Sequence, residues 1–291
     1  MAPEYYIFTG GVVPDHVTHV LIDKALKFVR KLAFYRHPNI EEVICHDGVE
    51  KIEQEAFSRC PRLRRVIMPG VKEIEQYAFN ECEALTYIEW DKLERIGKAA
   101  FQSCTSLSSV DLPSIRIVER FAFSSCTNLT NAKLGKDLES IGAGAFYNCT
   151  SLERIALPLK DVVVAADSIF QACKNFSHVD LVEGEILDGT VAAFLMEEWQ
   201  NDMNEEIHAI NRILPRTHGG NRGPFRAGEK AQAIRTWIRS LLHKYTHYKA
   251  EHRHYLGVAA ATLQPALPND ILFKSVLPFV DLPTGTFEGE S

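Results

Sequence analysis

The stretch IGAGAFYNCTSLERIALP, beginning at Ile141, is not unique in this chain. Close copies begin at Ile52 (IEQEAFSRCPRLRRVIMP), Ile74 (IEQYAFNECEALTYIEW), Ile96 (IGKAAFQSCTSLSSVDLP) and Val118 (VERFAFSSCTNLTNAKLG), with weaker ones at Val29 and around Phe170 and Cys173. The shared pattern is I-x-x-x-A-F-x-x-C-x-x-L-x-x-(I/V)-x-x. Its phenylalanines, Phe34, Phe57, Phe79, Phe101, Phe123, Phe146 and Phe170, are spaced by 22 to 24 residues. A unit that short cannot bury its own apolar side, so the chain must stack neighbours around one shared core.

Each unit supplies the parts of one coil. The segments opening at Ile40, Leu63, Leu85, Leu107, Leu129, Leu152 and Phe176 read L-x-x-V-x-L, with Val17 opening an earlier one. That alternation predicts a strand with aliphatic side chains inward and polar ones outward. A second short extended piece precedes each A-F-x-x-C stretch, as in VEKIE (49–53) and LESIG (138–142). The A-F-x-x-C stretch itself reads as a turn or a single helical turn. The expected fold is an α+β repeat solenoid: about eight strand rows over residues 1–183, then a C-terminal α-helical hairpin within 184–291.

The A-F-x-x-C-x-x-L-x-x-I pattern resembles the BspA-type leucine-rich repeat, and the resemblance covers roughly residues 12–182. It implies a horseshoe-like or nearly straight solenoid of stacked parallel strands, used for protein recognition and without catalysis. The coupling of such an array to a helical tail is similar to uncharacterised intracellular members found in diatoms.

Cys60, Cys82, Cys104, Cys126, Cys149 and Cys173 share one slot, while Cys45 ends a strand. Stacked side chains on parallel strands keep their Cβ atoms about 4.8 Å apart, wider than the ~3.8 Å of a disulfide. No C-x₂₋₄-C pair offers converging metal ligands. Buried packing remains, because a free Cys behaves as a small hydrophobe and His37 fills the slot in an early unit.

Charge and hydropathy narrow the partners. The formal net charge is −6, which does not favour nucleic acid, and no apolar run approaches the ~20 residues of a membrane-spanning helix. MAPEYYIFTGGVVPDH lacks the basic-then-apolar start of a secretory signal, so a cytoplasmic or nuclear location is expected. No phosphate loop, nucleophile elbow or kinase-like motif is present, and GGNRGPFRAG lacks a G-K-[ST] ending. No cofactor is implied.

Outward strand positions carry no packing duty and are therefore the place to look for recognition. They form the pairs His19/Leu21, Glu42/Ile44, Arg65/Ile67, Tyr87/Glu89, Ser109/Asp111, Asn131/Lys133, Arg154/Ala156 and His178/Asp180. Leu21, Ile44 and Ile67 align as an apolar strip beside Tyr87, rimmed by Glu42 and Arg65, with Glu89 a further candidate in the Tyr87 row. Arg154 is a further candidate in a later row. Either a protein partner covers this strip, or the N-terminal segment or the tail folds over it as a cap.

Past residue 184 the period changes. Leu195, Trp199, Met203, Ile207, Ile210 and Leu214 recur every three or four residues, predicting an amphipathic helix with Asp188 as N-cap and Pro215 as stop. After a Gly-rich loop (216–228, expected mobile), a second helix offers Ile234, Trp237, Ile238, Leu241, Leu242, Tyr245 and Leu256 for burial. A short further helix is expected within 268–282. The first helix is acidic (Glu197, Glu198, Asp202, Glu205, Glu206) and the second basic (Arg235, Arg239, Lys244, Lys249, Arg253), favouring an antiparallel pair. His243 and His247, with Glu251, stand on one helical face and could present metal ligands. The leading expectation is a monomeric, non-enzymatic protein-recognition scaffold. The alternative is a metal-binding or enzymatic protein with its site between this helix and the last repeats.

Overall fold

The computed structural model describes residues 4–160, 163–182, 193–214 and 228–263. The expectations for Asp188, Pro215, the loop short of Gly228 and the 268–282 helix lie outside these residues. So do the side chains of Leu195, Glu197, Glu198, Trp199, Tyr245, Lys249, Glu251, Arg253 and Leu256.

In chain order the strands are β1 (Tyr6–Phe8), β2 (His19–Ile22), β3 (Phe28–Val29), β4 (Glu42–Ile44) and β5 (Lys51–Ile52). Next come β6 (Arg65–Ile67), β7 (Glu73–Ile74), β8 (Tyr87–Glu89), β9 (Arg95–Ile96) and β10 (Ser109–Leu112). The last are β11 (Ile117–Val118), β12 (Asn131–Leu134), β13 (Ser140–Ile141), β14 (Arg154–Leu157) and β15 (His178–Leu181). Two helices follow, α1 (Ala193–Ile213) and α2 (Glu229–Leu263). All strand pairing is parallel, one coil to the next. The longer strands make a front face in two pieces, β1-β2-β4-β6-β8 and β10-β12-β14-β15; the short ones make one back sheet, β3-β5-β7-β9-β11-β13.

The A-F-x-x-C stretches close the third side, and there the structure departs from a single helical turn. They form overlapping β-turns in which Glu55, Phe57 and Arg59 donate N–H groups to Gln76, Ala78 and Asn80 of the next coil at 3.2, 2.8 and 2.7 Å. The same three bonds recur from coil to coil, so this side is a third ladder. A helix would turn those N–H groups inward along its own axis; here they point along the stack. Left-handed backbone at Leu32, Glu55, Tyr77, Ala99 and Phe121 makes this possible, as it does at Arg36, Arg59, Glu81, Ser103, Ser125 and Asn148. Gly144 takes the same slot in its unit at φ 67°, and a Cβ there would lie 2.4 Å from the Phe121 ring.

Inside, Phe34, Phe57, Phe79, Phe101, Phe123, Phe146 and Phe170 stack with centroids 4.8 to 5.9 Å apart and near-parallel planes. Beside them runs the cysteine column. All seven cysteines are free and buried. Packing is only part of the role of the six in the slot: each donates its S–H to the phenylalanine carbonyl one coil earlier. Cys60 reaches Phe34 at 3.0 Å, Cys104 reaches Phe79 at 3.2 Å and Cys149 reaches Phe123 at 3.1 Å. The same carbonyl accepts a backbone N–H within its own coil, as Phe79 does from Cys82, so both lone pairs of a buried acceptor are used. His37 keeps the slot by the same device, its Nε2–H donating to Pro14 at 3.1 Å while Nδ1 accepts the amide of Ile40.

Both ends of the stack are covered. At the first, β1 pairs with β2 and sets Phe8 against Phe34 at 4.6 Å. At the last, the helices dock. Asn211 of α1 accepts the amide of Val179 at 2.8 Å and donates to its carbonyl at 3.2 Å, matching the bonds a further strand would make to β15. From α2, Lys230 donates to the Cys173 carbonyl at 3.0 Å and to that of Phe176, and Arg235 bonds the carbonyls of Val164 and Ala165 and pairs with Asp167. Met203 and Ile210 of α1, Leu214 just after it, and Ile234, Trp237, Ile238 and Leu241 of α2 are buried. Lys244 pairs with Glu206 at 2.6 Å as the charge pattern predicts, but Arg235 serves the solenoid instead of the partner helix.

Candidate recognition face

Pleat alternation turns every second front-strand side chain outward, and exact register stacks these into two columns. Leu21, Ile44 and Ile67 fall in one column, as the spacing predicts. β1 adds Ile7, in register with Leu21 and 58% exposed. The N-terminal segment thus lengthens the apolar strip and does not fold over it. The helices sit at the far end, and the described residues leave the strip open.

The neighbouring column is a connected chain. Tyr5 donates its hydroxyl to Glu42 and meets His19 edge-on at 5.4 Å. Arg65 pairs with Glu42 at 3.2 Å while its guanidinium lies 4.9 Å from the centre of the Tyr87 ring. The Tyr87 hydroxyl donates to Glu89 at 3.0 Å. The structure therefore joins Leu21, Glu42, Ile44, Arg65, Ile67, Tyr87 and Glu89 in one patch. Arg154 is not part of it: it lies on β14, in the second front piece, paired with Asp180 at 2.9 Å. Tyr5 and Ile7 were missed because they precede the repeat and carry none of its signature; the alternating YYIF was the available signal.

The back sheet differs. Its outward positions pair along the stack, Lys51 with Glu73 at 3.3 Å and Arg95 with both Glu73 and Glu119, and Arg116 pairs with Glu139. These charges satisfy one another, and no apolar column lies among them. As for the alternative site, His243 and His247 are exposed, and among the described residues no three metal-ligating side chains converge. No helix among them is long and apolar enough to cross a membrane.

The family model for the BspA type leucine rich repeat region matches residues 27–115 and 95–189, with 6 copies, over half of the chain. No curated protein matches the sequence. Among solved structures, a leucine-rich repeat protein from Bacteroides ovatus is 27% identical, with 58% of this chain and 43% of that one covered and a TM-score of 0.49. This chain thus spans less than half of that protein's length. The T. pallidum leucine rich repeat protein is 25% identical, over 60% of this chain and 68% of that one, at a TM-score of 0.36. A leucine rich cell surface protein from Faecalibacterium prausnitzii is 22% identical over 59% and 61%, at a TM-score of 0.30. With the family model covering the residues that fold as these stacked coils, the chain belongs to the BspA-type leucine-rich repeat family.

Proposed function

We propose that this protein is a non-enzymatic recognition scaffold that binds a protein partner through the front face of its N-terminal coils. Leucine-rich repeat proteins of this kind are generally interaction scaffolds. The observation that carries the reading is the strip Ile7, Leu21, Ile44 and Ile67, left open beside a pre-ordered column of Tyr5, Glu42, Arg65 and Tyr87. An apolar centre with a polar, hydrogen-bonded rim suits a protein interface, and side chains already held in place lose little freedom on binding. The chain acts as a monomer inside the cell in this reading, which the buried free thiols support, as they suit a reducing compartment.

The test is affinity capture with the full chain, its Ile44→Asp/Ile67→Asp variant and a back-face control, Lys51→Glu. Partners retained by the native chain and the control but lost from the front-face variant support the reading. Equal retention by all three sinks it, as would unchanged capture after charge reversal at both Arg65 and Glu89.

A further inference from the structure

The front ladder is broken at one rung. No hydrogen bond joins β8 to β10, although they are consecutive rows. Before the break Ser106 donates to the Glu83 carbonyl at 3.1 Å, and after it Arg116 donates to that of Glu94 at 2.8 Å. On the turn side of the same coils, Phe79 donates to Ala100 at 2.7 Å. The opening is therefore local to Tyr87–Glu89 and Ser109–Asp111.

Its cause is Trp90. The equivalent slot holds Cys45, Met68, Leu112, Leu134 and Leu157 in other coils. Met68 there donates its backbone N–H to the Glu89 carbonyl at 2.9 Å. At the broken rung the acceptor, Asp111, is reached instead by the Trp90 indole Nε1–H at 2.6 Å. The indole, edge-on to Phe101 at 5.7 Å, takes the place of that backbone donor at the open rung. It leaves a cleft of about 360 Å³ lined by Tyr87, Ile88, Glu89, Trp90, Ser109 and Asp111.

By the parity of the neighbouring rungs, the carbonyls of Thr86, Ile88 and Ser109 and the amides of Ile88, Trp90, Ser109 and Asp111 face this cleft without a ladder partner. At its mouth stand Glu89 and Asp111. Other outward carboxylates of the front face are neutralised, Glu42 by Arg65 and Asp180 by Arg154. Among the described residues neither Glu89 nor Asp111 has an ion-pair partner, and Glu89 only accepts the Tyr87 hydroxyl. A cleft with open backbone carbonyls, two carboxylates outside any ion pair and aromatic walls suits a flat cation with several donors.

We propose that the cleft between β8 and β10 is a pocket for an arginine side chain of the protein partner. It deepens the recognition reading, on which it rests, by placing a specificity pocket at the C-terminal end of the apolar strip. The guanidinium donates to Glu89, Asp111 and the open carbonyls, with its plane along the Trp90 and Tyr87 rings. Five donors in a rigid fork suit this set better than the compact ammonium of lysine.

The probe is N-acetyl-arginine amide titrated into the ¹⁵N-labelled full chain, with the lysine and alanine analogues alongside. Saturable shifts of the Trp90 indole and of the Ser109 and Asp111 amides are expected for arginine, at least threefold weaker affinity for lysine, and no response to alanine. Glu89→Gln/Asp111→Asn should abolish the response. Trp90→Leu should close the rung, giving those two amides slow hydrogen exchange and removing the response. No saturation, equal affinity for lysine, or a response unchanged in the double variant overturns the pocket. A Trp90→Leu chain that folds and still exchanges fast at both amides does so as well; should it not fold, the double variant decides. If Ile44→Asp/Ile67→Asp loses the partner while arginine gives no response, the pocket falls and the recognition face stands. An arginine response with partner capture unaffected by those substitutions has the opposite meaning.

Discussion

On the turn side the coils from Leu32 to Ser125 each hand three N–H groups to the next, over phenylalanine and cysteine columns that change little from unit to unit. On the front side the outward residues differ in every row, and the ladder itself is interrupted between Glu89 and Ser109. Repetition is strict where one coil must fit the next, because each buried carbonyl needs a donor at a set position. It is relaxed where side chains meet only solvent or a partner. Regularity in this fold therefore marks structure, and departures from it mark the places where packing between coils imposes no choice.

The buried thiol column is most sensitive to high pH. Burial pushes the thiols of Cys45 and Cys126 up to about 12 and those of Cys82, Cys104 and Cys149 well above their ordinary value of 9.0. The unfolded chain then gives up these protons first, so folding stability is intact below about pH 9 and falls as pH rises toward 12. Lys230 opposes this, because burial holds it down to about 8 and the folded protein loses that proton first. One group against five leaves the sum destabilising, and urea midpoints at pH 8, 9 and 10 should fall steeply over the last step.

Phe101→Ala removes the centre of the aromatic column and the ring against Trp90, and should cost about 3–5 kcal/mol by denaturant unfolding. A loss under about 1 kcal/mol would show that the column is not the spine of the stack. Cys104→Ala deletes one of two donors to the Phe79 carbonyl and should cost about 1–2 kcal/mol. Native Cys104 and Cys126 should resist thiol reagents until unfolding; fast labelling would contradict their burial.

At the C-terminal end, Asn211→Ala exposes the Val179 amide and carbonyl on the edge of β15. A stability loss of about 1–2 kcal/mol is expected, with concentration-dependent association through the freed edge, read by sedimentation. The smallest effect belongs to the front face. Arg65→Ala should change stability by less than about 1 kcal/mol, since its pair with Glu42 is partly exposed, while weakening partner capture. A larger loss of stability there would mean that the front column is structural after all.

The stack, its period, its inward columns and the outward strip could be read directly, because a short repeat has only one way to bury Phe, Cys and Leu together. The turn ladder could not, since nothing in A-F-x-x-C announces left-handed backbone at Glu55 or Arg59. The S–H donors were hidden for a related reason: a buried cysteine reads as a hydrophobe until its acceptor is located. Docking of the helices was legible only in part: the immediate passage from the last repeat into a helix suggested contact at its base, but amphipathic spacing shows that a face is buried and not against what. Arg235 looked like a complement to the acidic helix until its partner proved to be Asp167.

Composition and periodicity thus settled the solenoid, the role of its cysteines as core residues, and the residues that line the front. Local energetics repeated every 22 to 24 residues leave no other arrangement. Position along the stack was decided only by the folded chain: β1 lengthening the apolar strip, Asn211 standing in for a missing strand, and Trp90 holding one rung open. Each depends on a side chain meeting a backbone group far away in sequence or supplied by another coil, and no local pattern specifies such a meeting.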